Sequence, residues 1–208
     1  MKNNLMEKIL EINNFNIYRI FQELVEIGAS SAKLLNDDFR NILYNEALTL
    51  SYEKEPQSVD AKKYVVRMEV ESCKNFPAQS NFYRLKEIFQ TFIVNEFKKI
   101  QEEIFEPSLN FNSMILLRYP KGSIGISPHQ DNPKYINLIC IFVIKGKGKF
   151  FICKDSKGNE AIEIKSDEGY VIFLRAPGFL KSSFRPFHFV KDIEEERFSF
   201  GLRQEKIS

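Results

Sequence analysis

Only two histidines occur in the 208-residue chain, His129 and His188. His129 stands two residues before Asp131, and side chains two apart on a strand point to the same face. An imidazole and a carboxylate therefore converge on one point, with Gln130 turned away. His188, further along in the same β-rich half, would complete a set of two imidazoles and one carboxylate. Such a set covers one side of a metal ion and leaves adjacent positions open, which suits non-haem Fe(II) that must bind a cosubstrate and dioxygen together. Zn2+ is the alternative ion for these donors, whereas Mg2+ and Ca2+ prefer an all-oxygen shell.

A second signal lies in Arg197-Phe198-Ser199-Phe200-Gly201-Leu202-Arg203. The strand period puts Arg197, Ser199, Gly201 and Arg203 on one face and Phe198, Phe200 and Leu202 on the other. The apolar face would pack outward against a neighbouring layer. The opposite face offers two guanidiniums, a hydroxyl and a gap without a side chain. An arginine turned into a barrel is costly unless an anion meets it, and a guanidinium holds a carboxylate by two parallel hydrogen bonds. A dicarboxylate with one end on the metal and the other on an arginine satisfies both conditions. Tyr119 shares a strand face with Ile115 and Leu117, and its hydroxyl is a further donor for the same ligand. The competing roles are a surface ion pair of Arg197 with Glu194-Glu195-Glu196 and a core position for Tyr119. Arg118 and Arg185 are candidates for either a substrate contact or a solvated face.

The order His129-Gln130-Asp131, then His188, then Arg197 and Arg203 resembles the Fe(II)- and 2-oxoglutarate-dependent dioxygenases over roughly residues 112–204. The His-Gln-Asp pairing and the Arg-x-Ser-x-Gly-x-Arg segment look most like the AlkB-like branch, whose pattern is Arg-x-Asn-x-Thr-x-Arg. The resemblance implies His129, Asp131 and His188 as iron ligands and Arg197 as the partner of the distal carboxylate of 2-oxoglutarate. It also implies assistance from Tyr119, Ser199 in the cosubstrate pocket, and Arg203 orienting Asp131 near the iron-proximal carboxylate. The chemistry it implies is oxidation of a C–H bond, by hydroxylation or demethylation, with release of succinate and CO2. Leu117 stands where the AlkB-like pattern has Asn, and neither a Trp nor an acidic residue at Asn132-Pro133-Lys134 is available to read a base. A small molecule or a modified side chain is therefore the favoured substrate, with nucleic-acid demethylation the alternative. The rival of another class is a cupin-like protein that binds a carboxylate and performs no oxidation. A hydrolytic triad finds no support, since neither Ser127 nor Cys140 sits in a Gly-x-Ser-x-Gly-type elbow.

Positioning these residues requires a β-rich core. From Asn110 onward, runs at 113–119, 124–131, 135–144, 149–154, 161–165, 170–175, 184–190 and 197–203 read as eight strands, the number of a jelly roll. The Gly-containing segments 145–149 and 155–159 read as hairpin turns. Before Asn110, three-to-four spacing of apolar residues predicts helices around Leu5–Ile12, 17–25 and 34–47, with a longest one from Ser80 or Asn81 to about Phe105. A strand is expected over 64–70, Gly28-Ala29-Ser30-Ser31 reads as an interruption, and 73–80 is a candidate lid. The fold class is thus α+β, a double-stranded β-helix (jelly roll) with a mostly helical half packed on it. Residues 1–208 form one domain in this reading: 1–109 helical support, 110–208 the metal and cosubstrate core.

Composition sets outer limits. Lys+Arg 30 against Asp+Glu 28 leaves a net charge of +2, which signals no strongly basic nucleic-acid binder. No apolar run reaches the roughly 20 residues of a membrane span, and Met1–Lys8 lacks a secretory apolar stretch, so a cytoplasmic location is expected. Cys73, Cys140 and Cys153 form no CxxC pair, which argues against a disulfide or a Cys-based zinc site.

Overall fold

A computed structural model of the chain describes residues 2–61, 64–100 and 103–206. In chain order the elements are α1 (Lys2–Glu7), α2 (Ile17–Glu26), β1 (Ala29–Lys33), α3 (Asp37–Ala47), β2 (Glu53–Lys54), β3 (Ser58–Asp60), β4 (Val65–Arg67), β5 (Glu71–Cys73) and α4 (Asn81–Phe97). Then follow β6 (Ser113–Tyr119), β7 (Ile126–His129), β8 (Tyr135–Lys145), β9 (Lys149–Cys153), β10 (Ile162–Ile164), β11 (Tyr170–Arg175), β12 (Phe187–Lys191) and β13 (Arg197–Glu205). A seven-stranded sheet runs β1-β11-β8-β13-β6-β5-β2, and a four-stranded sheet runs β10-β9-β12-β7. The strand pairs are antiparallel. Antiparallel sheets facing each other across an apolar layer are the jelly-roll arrangement.

Alternation along the strands divides the large sheet into two faces. Phe142, Phe173, Phe198, Phe200 and Leu202 point outward, into the core shared with the helices. There Phe89 of α4 meets Phe142 edge-on at 4.8 Å, and Phe82 meets Phe200 at 4.8 Å. Ile139, Val143, Ile172 and Leu174 point the other way, onto Phe150 and Ile152 of the small sheet. The division of Arg197–Arg203 into a polar inner and an apolar outer face is thus realised. α3 and α4 start at side-chain caps, as Asn36 Oδ1 accepts from the Asp38 and Phe39 amides and Ser80 Oγ from the Phe82 amide.

The first half departs from a mostly helical support. Among the described residues it holds four helices but also five strands, and β1, β5 and β2 are members of the large sheet. Ala29-Ser30-Ser31, part of the expected interruption, instead pairs with Ile172–Leu174. α4 stops at Phe97 instead of about Phe105; residues 101–102 of that expected extension lie outside the described residues, and Phe105 instead bridges Phe179. The segment 73–80 is not a lid. Cys73 belongs to β5, and Phe76 packs on Phe82 and Phe200 on the outer face, away from the polar face of β13.

Of the two expected hairpins, 155–159 connects the paired strands β9 and β10. The other, 145–149, carries the chain from the large sheet to the small one. Its glycines allow close approach. A Cβ at Gly146, which has φ +85°, would collide with the Glu196 carbonyl, and one at Gly148 would lie 2.6 Å from Ile193 Cδ1. No helix among the described residues is long and apolar enough to cross a membrane.

Candidate active site

His129 ends β7 and His188 lies on β12, and the two residues are register partners. Pairing across antiparallel strands brings the side chains of one face together, and the imidazole centroids are 4.3 Å apart. Asp131 follows β7 and turns in beside them. One donor atom from each of the three residues lies within 4.8 Å of the others, with His188 Nε2 3.4 Å from Asp131 Oδ2. The ring orientations are fixed from behind. Nδ1 of His129 is 2.9 Å from the Ser127 carbonyl and Nδ1 of His188 is 3.3 Å from the Pro186 carbonyl. When these Nδ1–H groups donate to the carbonyls, each Nε2 keeps its lone pair for a metal. Phe150 stacks on the His188 ring at 5.6 Å.

The electrostatics favour ligation. Burial, reinforced by His188, pushes His129 down to about 4, so its ring is neutral near pH 7. Burial works against ionisation of Asp131, but its positively charged surroundings, the Arg203 guanidinium foremost, outweigh it and hold the carboxyl below its usual value. A neutral His129 imidazole and an ionised Asp131 carboxylate are protonation states a divalent metal takes.

Arg203 and Arg197 occupy different surroundings on the same face of β13. Arg203 Nη2 lies 3.7 Å from Asp131 Oδ1, and its guanidinium covers the Tyr135 ring at 4.7 Å. Arg197 is 1% exposed and has no carboxylate partner among the described residues. It donates to the Gly148 carbonyl, while its buried Nε has no partner among the described residues. The surface ion pair with Glu194-Glu195-Glu196 is therefore not formed. Tyr119 is the register partner of Arg197 on β6 and is itself buried, which pushes its phenol up. Tyr119, Arg197, Ser199 and Arg203 line one cavity with Ile115 and Leu117. Gly201 lies in the same wall, but a Cβ there would sit 3.1 Å from Ile115 Cγ2, so the glycine makes room for that isoleucine.

The two other arginines separate cleanly. Arg118 points to the outer face, where it pairs with Glu71 and covers the Tyr52 ring. Arg185 borders a second cavity with Asp131, Tyr135, Ile139, Leu174 and His188. Two contacts near the His-Asp-His group have no local sequence signal. The Gln130 amide donates to the hydroxyl of Tyr64, whose ring packs on Phe187, and Gln130 Nε2 donates to the Arg185 carbonyl at 2.6 Å. Gln130 thus ties the ligand turn to its neighbours. Two open grooves elsewhere, one beside Met68 and Pro120 and one beside Lys147 and Asp192, include none of the predicted site residues.

No protein-family model and no curated protein matches the sequence. Solved structures do match in fold. A 2OG-Fe(II) oxygenase family oxidoreductase from Burkholderia pseudomallei superposes with a TM-score of 0.64 at 15% identity, covering 92% of this chain and 91% of the other. A prolyl hydroxylase from Trichoplax adhaerens, in complex with a peptide of the hypoxia inducible factor oxygen degradation domain, gives 0.63 at 11% identity over 91% and 88%. OsALKBH1 gives 0.60 at 15% identity over 86% and 99%. What the chain shares with them is the jelly-roll architecture, and on that frame it carries the His-Asp-His group and the unpaired buried arginine. The chain has the fold of the 2-oxoglutarate- and Fe(II)-dependent oxygenases.

Proposed function

We propose that this protein is an Fe(II)- and 2-oxoglutarate-dependent dioxygenase that oxidises a C–H bond of a small molecule or modified side chain, with residues 1–208 acting as a single domain. The observation that carries this reading is Arg197, a fully buried guanidinium with no anion of its own among the described residues, in a cavity that also reaches Arg203 beside the His-Asp-His group. An uncompensated buried charge costs several kcal/mol, so the fold retains it for a ligand that brings the countercharge. A dicarboxylate does so, and the donor set fits the metal that would hold its other end.

In this reading His129, Asp131 and His188 hold the metal, and Arg197 receives the distal carboxylate of 2-oxoglutarate with Tyr119 and Ser199 beside it. Arg203 fixes the Asp131 carboxylate and faces the end of the cosubstrate nearest the metal. With Fe(II) bound, the centre would supply the dioxygen chemistry that splits 2-oxoglutarate into succinate and CO2 and delivers one oxygen atom to the substrate C–H bond. The protein orients the two ligands, keeps Tyr119 protonated as a donor, and walls the site with Ile115, Leu117 and Phe150 against water.

The test is succinate formation by anaerobically purified protein supplied with Fe(II), 2-oxoglutarate and air, alongside calorimetric binding of 2-oxoglutarate with and without metal. Turnover that requires iron and oxygen supports the enzyme. Metal-dependent binding without succinate in any substrate screen favours the cupin-like sensor, and absence of metal-dependent binding sinks the proposal. Should a nucleic acid be the substrate, its binding would fall far more steeply with salt than that of a small molecule, because many phosphates are neutralised at once.

A further inference from the structure

The second cavity beside the His-Asp-His group is mostly apolar, with Ile139, Leu174, Ala176 and Pro186 in its wall, yet two arginines border it. Arg175 turns toward the outer face, although its buried Nε has no partner among the described residues. Its guanidinium sits between the rings of Phe179 and Phe184, at 5.2 and 5.1 Å, and Nη1 faces the Leu24 and Val25 carbonyls at the C-terminal end of α2. Strand alternation agrees: Phe173 of β11 lies in the outer core, and Arg175, two residues on, shares its direction. Arg185 is different. Its Nη1 donates to the backbone carbonyl of Asp131, and among the described residues no carboxylate lies within ion-pair reach. Among the described residues the only acid bordering either inner cavity is Asp131, whose side chain is already engaged by Arg203 and His188.

Arg185 is also held in place. Gln130 Nε2 binds its carbonyl, and Pro186 follows it, so the residue is tethered at both ends beside the metal ligands. A half-buried guanidinium with donors left over, set in an apolar wall, is suited to one anionic group on a molecule that is otherwise aliphatic. We infer that Arg185 is a specificity-determining residue that selects a small substrate bearing a carboxylate or phosphate group next to the C–H bond presented at the His-Asp-His centre. The substrate role rests on the oxygenase reading, whereas the anion site itself does not.

Binding of three small probes separates the two. Isobutyrate, isopropyl phosphate and neutral isobutyramide would be titrated into the protein, followed by ligand-observed NMR, with wild type, Arg185→Gln, Arg185→Lys, Arg175→Gln and Arg197→Gln compared. Expected is binding of one or both anions over isobutyramide, weakened about tenfold in Arg185→Gln, partly restored in Arg185→Lys, and retained in Arg175→Gln. The preferred anion then identifies carboxylate or phosphate as the recognised group. Equal binding of isobutyramide, undiminished affinity in Arg185→Gln, or loss in Arg197→Gln alone overturns the assignment. If Arg185→Gln does not fold, Arg185→Lys must bind the anions more weakly than wild type, and unchanged affinity there overturns it as well. A protein that binds the probes through Arg185 but shows no metal-dependent 2-oxoglutarate binding would keep the anion site and discard the oxygenase.

Discussion

Arg197 and Arg203 stand on one face of one strand, yet the two ends of β13 treat their guanidiniums oppositely. Arg203 is near Asp131 and lies over Tyr135, so its charge is answered within the protein. Arg197 is sealed beneath the 145–149 crossing with a single carbonyl and no carboxylate for company, and the buried Nε of both arginines is unpartnered among the described residues. A compensated arginine serves to position its partner, whereas an uncompensated one sets up a binding demand that only a ligand meets. The same contrast sets the carbonyl-braced imidazoles at the Arg203 end, beside the guanidinium that helps keep Asp131 ionised.

The largest effect is expected where the comparison begins, at Asp131. Asp131→Ala removes a proposed metal ligand and also strips Arg203 of its partner, so metal affinity and succinate formation should each fall more than about a hundredfold, beyond what losing a supporting contact costs. Metal titration by calorimetry checks this, and near-normal affinity would show that the carboxylate serves only the arginine. Arg203→Met comes next. It leaves the Asp131 carboxylate without its strongest neighbour and should lower the stability of the metal-free protein by about 2 kcal/mol in urea unfolding. That is less than the loss for a fully buried pair, because the contact is 3.7 Å and each side chain keeps 16% exposure. Added Mn2+ should recover most of that loss, since the ion supplies the missing positive charge.

How far these differences could be read from sequence follows the range of the interactions. Alternation alone sorted Arg197, Ser199 and Arg203 from Phe198, Phe200 and Leu202, because a strand's faces are fixed by a period of two whatever its neighbours. The convergence of His129 and Asp131 was legible for the same reason, and β12, begun at 184 in expectation, starts at Phe187 because Pro186 precedes it. β1 was not legible. Ala29-Ser30-Ser31-Ala32 has neither β-branched residues nor alternation, and its conformation comes from pairing with β11, far along the chain. Tyr64 and the Gly148 carbonyl were hidden likewise, since each acts on a residue remote in sequence. The helical half was overestimated because apolar residues at three-to-four spacing flag helices well, whereas short edge strands carry little pattern.

Arg197→Met sharpens the comparison with an opposite sign to Arg203→Met. Replacing an unpaired buried cation by an apolar chain of similar length should raise the stability of the ligand-free protein by about 1–2 kcal/mol while weakening 2-oxoglutarate at least tenfold. A rise in urea midpoint joined to lost binding would mark Arg197 as a residue retained for a ligand. A fall in midpoint would mean that the carbonyl of Gly148 suffices as its partner and that the guanidinium is structural.

The smallest effect belongs to Tyr119, which faces Arg197 across the β6–β13 pair. Burial holds its phenol protonated, so at neutral pH the hydroxyl can only donate or share its proton, and a carboxylate seated against Arg197 is the acceptor the cavity offers it. Tyr119→Phe keeps the ring that packs with Ile139 and Val143 in the inner core and deletes one hydrogen bond, which should weaken 2-oxoglutarate about three- to tenfold. The effect should vanish in the Arg197→Met background, because a hydroxyl acting on the same carboxylate has nothing left to act on once its principal partner is gone. Additive losses in the double variant would instead place Tyr119 outside the binding site, as one more packed ring of the core.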